Sequence, residues 1–480
     1  MHLKYLKTLL FSGFCIALSA QSPDSLRISI HQVQSEYYGS RKSQISTEKT
    51  YDLSFPADLQ YLSGKKSTYR VLGWHPYWTS ATAYLSYDYD ALTHIAYFSY
   101  EVDSETGAYT TIHDWLTTPI INYAHQRGTK VLLTVTNFGS ENNTKILSDT
   151  VKQVTMLNNL VNLLKVRNGD GVNFDFEIVP ATQKVNMVNF IKRAVRIIKK
   201  ELPDAEISLA TPAVDWSSAW NFPTLSSLCD YLIIMGYDYY YKGSTTAGPV
   251  APLEGENYNI KRTIDTYLAA GVSPQRLMLG VPWYGYDWPV VSSVRKAAVT
   301  GTGTARIFTA SEALAGTHGK VFDQLTKVPW VAYTSSSLWR QLWYDDLQSL
   351  DLKYELVKSK NMGGIGIWAL GYQGGTQAVW DSIKFAFNEY ELETDQILKL
   401  FPVPTSGQVT IEFFITLPSL VSIEVFDIQG RKVLFNEKGQ YPEGINTIDF
   451  DLTQFGSGVY ICILQTGSTT FTRKIMVINE

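Results

Sequence analysis

The strongest constraint on this chain is a rhythm. Between Tyr69 and Leu370, eight short apolar runs alternate with amphipathic stretches: YRVLGW (69–74), LTHIAYFSY (92–100), KVLLTVTNF (130–138), GVNFDFEIV (171–179), EISLATPA (206–213), YLIIMGYD (231–238), LMLGVPWYG (277–285) and GGIGIWAL (363–370). Near-continuous apolar runs indicate strands buried on both faces, as in a parallel sheet covered by helices. The stretches between them carry helical spacing. Met187, Val188, Phe190, Ile191, Ala194, Val195, Ile197 and Ile198 share one helical face. Eight strand–helix units predict an α/β fold, a (β/α)8 TIM barrel over residues 67–392. RIFTASEALAG and VPWVAYTSS predict a small α+β insertion at about 286–345, between the seventh and eighth strands.

A chain of 480 residues has room for more than one domain. At the N-terminus, Lys4 and Lys7 precede the apolar run Leu9–Leu18, and ALSAQS follows. This is the pattern of a secretory signal peptide over residues 1–20, cut near Ser19 or Ala20. The run is too short for a permanent membrane span, and no other candidate span is present. Residues 21–66 are polar and weakly periodic, and are expected to form a linker or an N-terminal arm. Beyond Tyr390 the pattern becomes alternating, as in SIEVFDIQGRKVLF and GVYICILQTG. It predicts a small antiparallel β-sandwich at 398–480. Signal removal leaves Cys229 and Cys462, which fall in different expected domains, so no structural disulfide is expected. A formal charge of −4 gives no basis for a nucleic-acid partner.

The fourth run carries unusual chemistry. Asn173, Asp175 and Glu177 alternate with Val172, Phe174, Phe176 and Ile178. In a strand, alternate side chains share a face. An amide and two carboxylates therefore rise toward the C-terminal end of the strand, where barrel enzymes keep their sites. Two inward carboxylates with no adjacent Lys or Arg are costly to bury. Their mutual repulsion raises a pKa, which suits a general acid. Asn173, one pleat below Asp175, is expected to donate a hydrogen bond to it. Asp170 has the opposite parity and is expected to be structural. His75 and His94 are read as packing or hydrogen-bonding residues. No His/Cys/Asp spacing suggests a metal, and no cofactor is expected.

The stretch resembles the DxxDxDxE signature of glycoside hydrolase family 18, the chitinase and endo-β-N-acetylglucosaminidase family. MGYD (235–238), GVPWYG (280–285) and GGIGIW, ending at Trp368, resemble its motifs on strands six, seven and eight. The resemblance covers roughly residues 69–390. It implies an enzyme that cleaves β-1,4 bonds of N-acetylglucosamine polymers by a retaining, substrate-assisted route. Glu177 would protonate the glycosidic oxygen and later deprotonate water. The substrate's acetamido oxygen would close an oxazolinium ion, with Asp175 orienting the acetamido N–H and Tyr237 holding its oxygen. Asn173, Asp238, Met235, Trp74, Tyr97, Trp283 and Tyr284 would bind substrate, with Trp368 as the floor. Chitin-type polymers are the leading substrates, with N-glycan cores or peptidoglycan as the alternative. A non-catalytic sugar-binding barrel is a third reading, against which Glu177 stands.

Two departures from the family pattern are visible. Asn173 stands where many members have Asp, and Asn at that position is a feature of part of the family, notably its spore-germination and peptidoglycan-related branch. TVTNFG (134–139) replaces the strand-three S-x-G-G motif. The C-terminal stretches FPVPTSGQVTI, VFDIQGRKV, GSGVYICIL and TRKIMV resemble the sorting domain of the type IX secretion system of Bacteroidota, with Val403 where Asn is usual. That resemblance implies passage through the periplasm to the cell surface or exterior, with the type IX machinery as partner. The protein is expected to act as a monomer.

Overall fold

The computed structural model describes residues 28–39, 67–387 and 396–478 except 402, 404 and 468. The signal peptide expected over 1–20, and residues 40–66 of the expected linker, lie outside the described residues. The chain divides between Asn388 and Glu389 into two units, each with its own apolar core.

In the first unit, each of the eight apolar runs contributes one parallel strand: Arg70–Pro76, His94–Val102, Lys130–Phe138, Gly171–Glu177, Glu206–Pro212, Tyr231–Met235, Leu277–Pro282 and Gly364–Trp368. They are neighbours in that order, and the first also pairs with the eighth, Arg70 opposite Gly364, so the barrel is closed. The fourth strand shows how sequence sets orientation. Phe174 and Phe176 point outward to the helix Lys184–Glu201, where Phe190 stacks on Phe176 at 5.3 Å and meets Phe174 edge-on at 5.1 Å. Fully burying such a ring is worth roughly 1.5–3 kcal/mol. The strand cannot slip by one residue without losing these contacts, so Asn173, Asp175 and Glu177 are held inward. Asp170 has the structural part its parity predicts, bonding His125 Nε2 at 2.7 Å and the Val131 N–H at 2.6 Å.

Between the seventh and eighth strands lies the insertion, a five-stranded antiparallel sheet running from Tyr284–Val290 to Leu338–Trp343, with the helix Phe308–His318. The second unit holds a three-stranded and a four-stranded antiparallel sheet whose alternate residues, among them Ile411, Phe413, Ile423, Val425 and Leu464, form its core. Cys229 and Cys462 are both buried and free.

The expected linker departs from its reading. Ile30–Gly39 forms a helix, α1, in the same unit as the barrel, with Ile30 and His31 fully buried. The stretch looked like a linker because it is polar. His31, Gln34 and Ser35 are buried against the barrel, while Glu36 stays exposed.

Candidate active site

The fourth strand delivers Asp175, fully buried, and Glu177, 6% exposed, to the mouth of the barrel. The chain turns away directly after them. Ile178 has φ 60°, a strained conformation for a β-branched residue and one that clusters at functional sites. Tyr237 and Asp238 follow the sixth strand, with Asp238 at φ 56°. Gly280, on the neighbouring strand, makes room for Tyr237. A Cβ there would stand 3.2 Å from the Tyr237 ring and 2.5 Å from the Ile234 carbonyl oxygen. Trp368 ends the eighth strand and Trp74 lies behind it, ring centres 6.1 Å apart.

Into this group comes His31 of α1. Its Nδ1 donates to Asp175 Oδ2 at 2.8 Å, and its Nε2 bonds Tyr237 Oη at 2.8 Å. Nδ1 is also 3.3 Å from Glu177 Oε1. The imidazole lies on the Trp368 indole, centres 3.7 Å apart and planes 27° from parallel. The Ile30 N–H donates to Asp238 Oδ2 at 2.8 Å, and Tyr284 Oη donates to the other Asp238 oxygen. Gln34 Oε1 accepts from Trp368 Nε1 at 3.0 Å and Tyr372 Oη at 2.9 Å.

Electrostatics follow from burial. Burial, then the charge of Asp175, pushes the Glu177 carboxyl above its ordinary range against the opposing pull of His31. His31 loses solvation by burial, but the adjacent Asp175 and Glu177 outweigh that and raise it to about 10. The ring is therefore an imidazolium at neutral pH, and both its N–H groups donate. Burial and the surrounding carboxylates hold the Tyr237 hydroxyl well above its usual pKa, so it stays a phenol. His31, Asp175 and Glu177 bring ligand atoms within 4.8 Å of one another, a donor set of a kind that can hold a cation. Ligands of a tetrahedral zinc at about 2.1 Å stand roughly 3.4 Å apart. The 2.8 Å between His31 and Asp175 is instead a direct hydrogen bond.

Several residues expected to bind substrate lie elsewhere. Asn173 is inward but closed off: its Oδ1 accepts from Trp74 Nε1 at 2.9 Å and its Nδ2 donates to Ser208 Oγ at 2.9 Å. It does not donate to Asp175, whose Oδ1 is buried without a partner among the described residues. Tyr97 points away from the cleft, its Oη accepting the Asp114 N–H at 3.0 Å and its ring meeting Trp115. Phe98, one residue on, faces Trp368 at 5.0 Å instead. Trp283 packs edge-on against Trp380 of the helix Gln377–Phe387, at 5.1 Å. Tyr97 lies within the strand His94–Val102, whose parity brings Phe98 inward and turns Tyr97 outward, while Trp283 falls between two strands, where parity does not fix direction. Trp74 lies behind the site, and Tyr284 acts by holding Asp238. Met235 lines an open cleft of about 800 Å³ beside Glu177, with Trp216 and Trp220. His75 bonds Tyr87 Oη at 2.8 Å and His94 bonds Glu206 at 3.0 Å, both within the packing. His31, Gln34 and Tyr372 were missed. His31 lies 144 positions from Asp175, and no spacing in the sequence points to it.

Comparison with known proteins agrees with this architecture. Residues 71–373 match the family Glycosyl hydrolases family 18, and the chain belongs to that family. Residues 399–478 match the Secretion system C-terminal sorting domain. Human di-N-acetylchitobiase is 26% identical over 336 residues, covering 62% of this chain and 80% of its own. The cortical fragment-lytic enzyme of Bacillus anthracis is 24% identical over 310 residues, 58% of this chain and 65% of its own. Among solved structures, a GH18 chitinase from Cycas revoluta in complex with (GlcNAc)3 aligns with TM-score 0.60 at 20% identity, covering 66% of this chain and 99% of its own. The protein is thus a chitinase-like glycoside hydrolase.

Proposed function

We propose that the protein cleaves β-1,4 bonds of chitin-type N-acetylglucosamine polymers with retention of configuration, and does so outside the cytoplasm. One observation carries the reading. Asp175 and Tyr237 face each other across a space that one flat ring bridges with two 2.8 Å hydrogen bonds, on the Trp368 floor and beside Glu177. A 2-acetamido group has a similar size, one N–H for Asp175 and one oxygen for Tyr237. In the reaction, protonated Glu177 gives its proton to the leaving oxygen as the acetamido oxygen attacks the anomeric carbon. Asp175 stabilises the developing cation. The Glu177 carboxylate then removes a proton from the water that opens the oxazolinium ring. The sorting-domain match supports export through a type IX system to the surface or exterior. Among the described residues no helix is long and apolar enough to cross a membrane.

A second reading keeps the reaction and changes the polymer to peptidoglycan or an N-glycan core. Asn173 in place of Asp and the resemblance to the cortical fragment-lytic enzyme favour peptidoglycan. Reducing-end release from chitooligosaccharides, muropeptides and a high-mannose glycopeptide separates these. Glu177→Gln should lower kcat by about 10²–10⁴ while oligosaccharide binding persists. Retention of wild-type turnover would remove Glu177 from the mechanism. A first product in the α configuration would remove the retaining route.

A further inference from the structure

The cleft holds a piece of its own chain, and that piece contacts the groups the chemistry requires. We propose that residues 28–39 are a latency segment, a built-in ligand that fills the reacting-sugar subsite by copying the shape and charge of the acetamido-derived ring between Asp175 and Tyr237, so that turnover requires the segment to leave. The inference rests on the reading of Glu177, Asp175 and Tyr237 as the catalytic set.

The contacts follow the expected substrate path. The imidazolium of His31 is flat, five-membered and cationic, as an oxazolinium ion is. It gives one N–H to Asp175 and the other to Tyr237, and it lies on Trp368. Further along α1, Gln34 occupies Trp368 Nε1 and Tyr372 Oη. At the end of α1, Tyr38 lies parallel to Trp78, 9° between planes and 5.0 Å between centres, as a sugar face would stack. On the other side, Ile28 and Ser29 reach the open cleft that Trp216 and Trp220 line. His31 and a sugar cannot occupy the same floor together. A structural brace is a poor account of the same contacts. The barrel closes without α1 through the pairing of its first and eighth strands. A buried imidazolium beside two carboxylates is also a weak source of stability.

The covalent tether makes such a ligand effective at modest affinity. A short linker gives effective concentrations of the order of 1 mM. A free peptide with a Ki of about 0.1 mM would therefore fill roughly 90% of sites when tethered. Cutting the tether turns that equilibrium into a bimolecular one, and dilution empties the cleft.

The test uses the full chain carrying a sequence-specific protease site inserted within residues 40–66, assayed on a soluble chromogenic chitooligosaccharide before and after cutting. Cutting should raise kcat/KM by about tenfold or more, and a synthetic peptide of residues 28–39 should reverse the gain competitively with a Ki near or below about 0.1 mM. His31→Ala in the uncut chain should raise kcat/KM in the same way, and the same change in the peptide should weaken its Ki by about tenfold or more. Equal kcat/KM before and after cutting, with no inhibition by the peptide, overturns the proposal. So does activation that follows a chelator and reverses with zinc, because His31 would then be a metal ligand. If a fluorescent form of the peptide binds the cut chain but no N-acetylglucosamine polymer is turned over, the segment is a cleft ligand as proposed and the catalytic reading fails instead.

Discussion

Asn173 supports the site without touching it. Both ends of its buried amide are engaged, one by Trp74 and one by Ser208. Asn173→Ala leaves the Trp74 N–H unpaired, which should cost about 1–3 kcal/mol in chemical denaturation. The pH dependence of kcat/KM should be unchanged, because no charge near Asp175 is altered. A shifted acid limb would show that Asn173 acts on Asp175 after all. Glu177 behaves differently. Its pKa is raised in the folded state, so any stability its protonated form contributes is present below its ordinary value of 4.5 and is lost as pH rises through the folded value. Glu177→Gln is neutral at every pH and escapes that loss. It should therefore melt no lower than wild type at pH 7, even as it loses turnover. A Tm several degrees below wild type at that pH would mean that the His31 contact dominates the balance. At this scale period-two alternation places Asp175 and Glu177 on one face, whereas Tyr237 was reached only through the resemblance of MGYD to a family motif. Tyr97 and Trp283 were not legible: Tyr97 has the outward parity of its own strand, and Trp283 falls between two strands.

Among the elements, the barrel strands and α1 stand at opposite ends of legibility. Each strand is a short, largely apolar run, and eight of them spaced by helical stretches indicate a parallel sheet buried on both faces. In α1, IHQVQSEYYG has only a weak apolar face, and its burial depends on polar partners far away in sequence. Those partners make its seating sensitive to pH. His31 faces Asp175 and Glu177 on the fourth strand and Tyr237 after the sixth, while Asp238 holds the neighbouring Ile30 N–H. The other rings around it, Trp74, Phe98 and Trp368, carry no charge. The seated value of about 10 exceeds the ordinary 6.5, so the proton favours seating. That contribution is complete below pH 6.5 and is lost as pH climbs to about 10. Between those limits, the Ki of the 28–39 peptide on the cut chain should rise by up to about tenfold per pH unit. Glu177→Gln in the cut chain removes the second titrating group that His31 faces most closely, and the pH slope of the Kd of a fluorescent 28–39 peptide on that inactive background reports His31. A Ki independent of pH across this window would show that the ring binds neutral.

At the scale of the whole molecule, the glycosyl hydrolase match and the sorting-domain match fall on separate units. Each closes its own core: the barrel around residues such as Val172, Ile233 and Ile367, the sandwich around Ile411, Val425 and Leu464. Among the described residues, the groups that hold His31 and line the cleft beside Glu177 belong to the first unit. The division after Asn388 falls close to the expected end of the barrel region, since the change from apolar runs to alternation marks where one kind of sheet gives way to another. A chain ending near Glu393 should therefore fold, with kcat/KM within about twofold of the full chain, because the barrel unit has its own apolar core. In the producing cell the same truncation should separate export from release. The protein would still enter the periplasm and would accumulate there instead of reaching the surface or medium. Fractionation with activity measured in each fraction tests both halves together. Loss of activity from a truncated barrel that still melts cooperatively would show that the second unit serves catalysis. Normal appearance of the truncated protein in the medium would show that residues 399–478 are not its sorting signal.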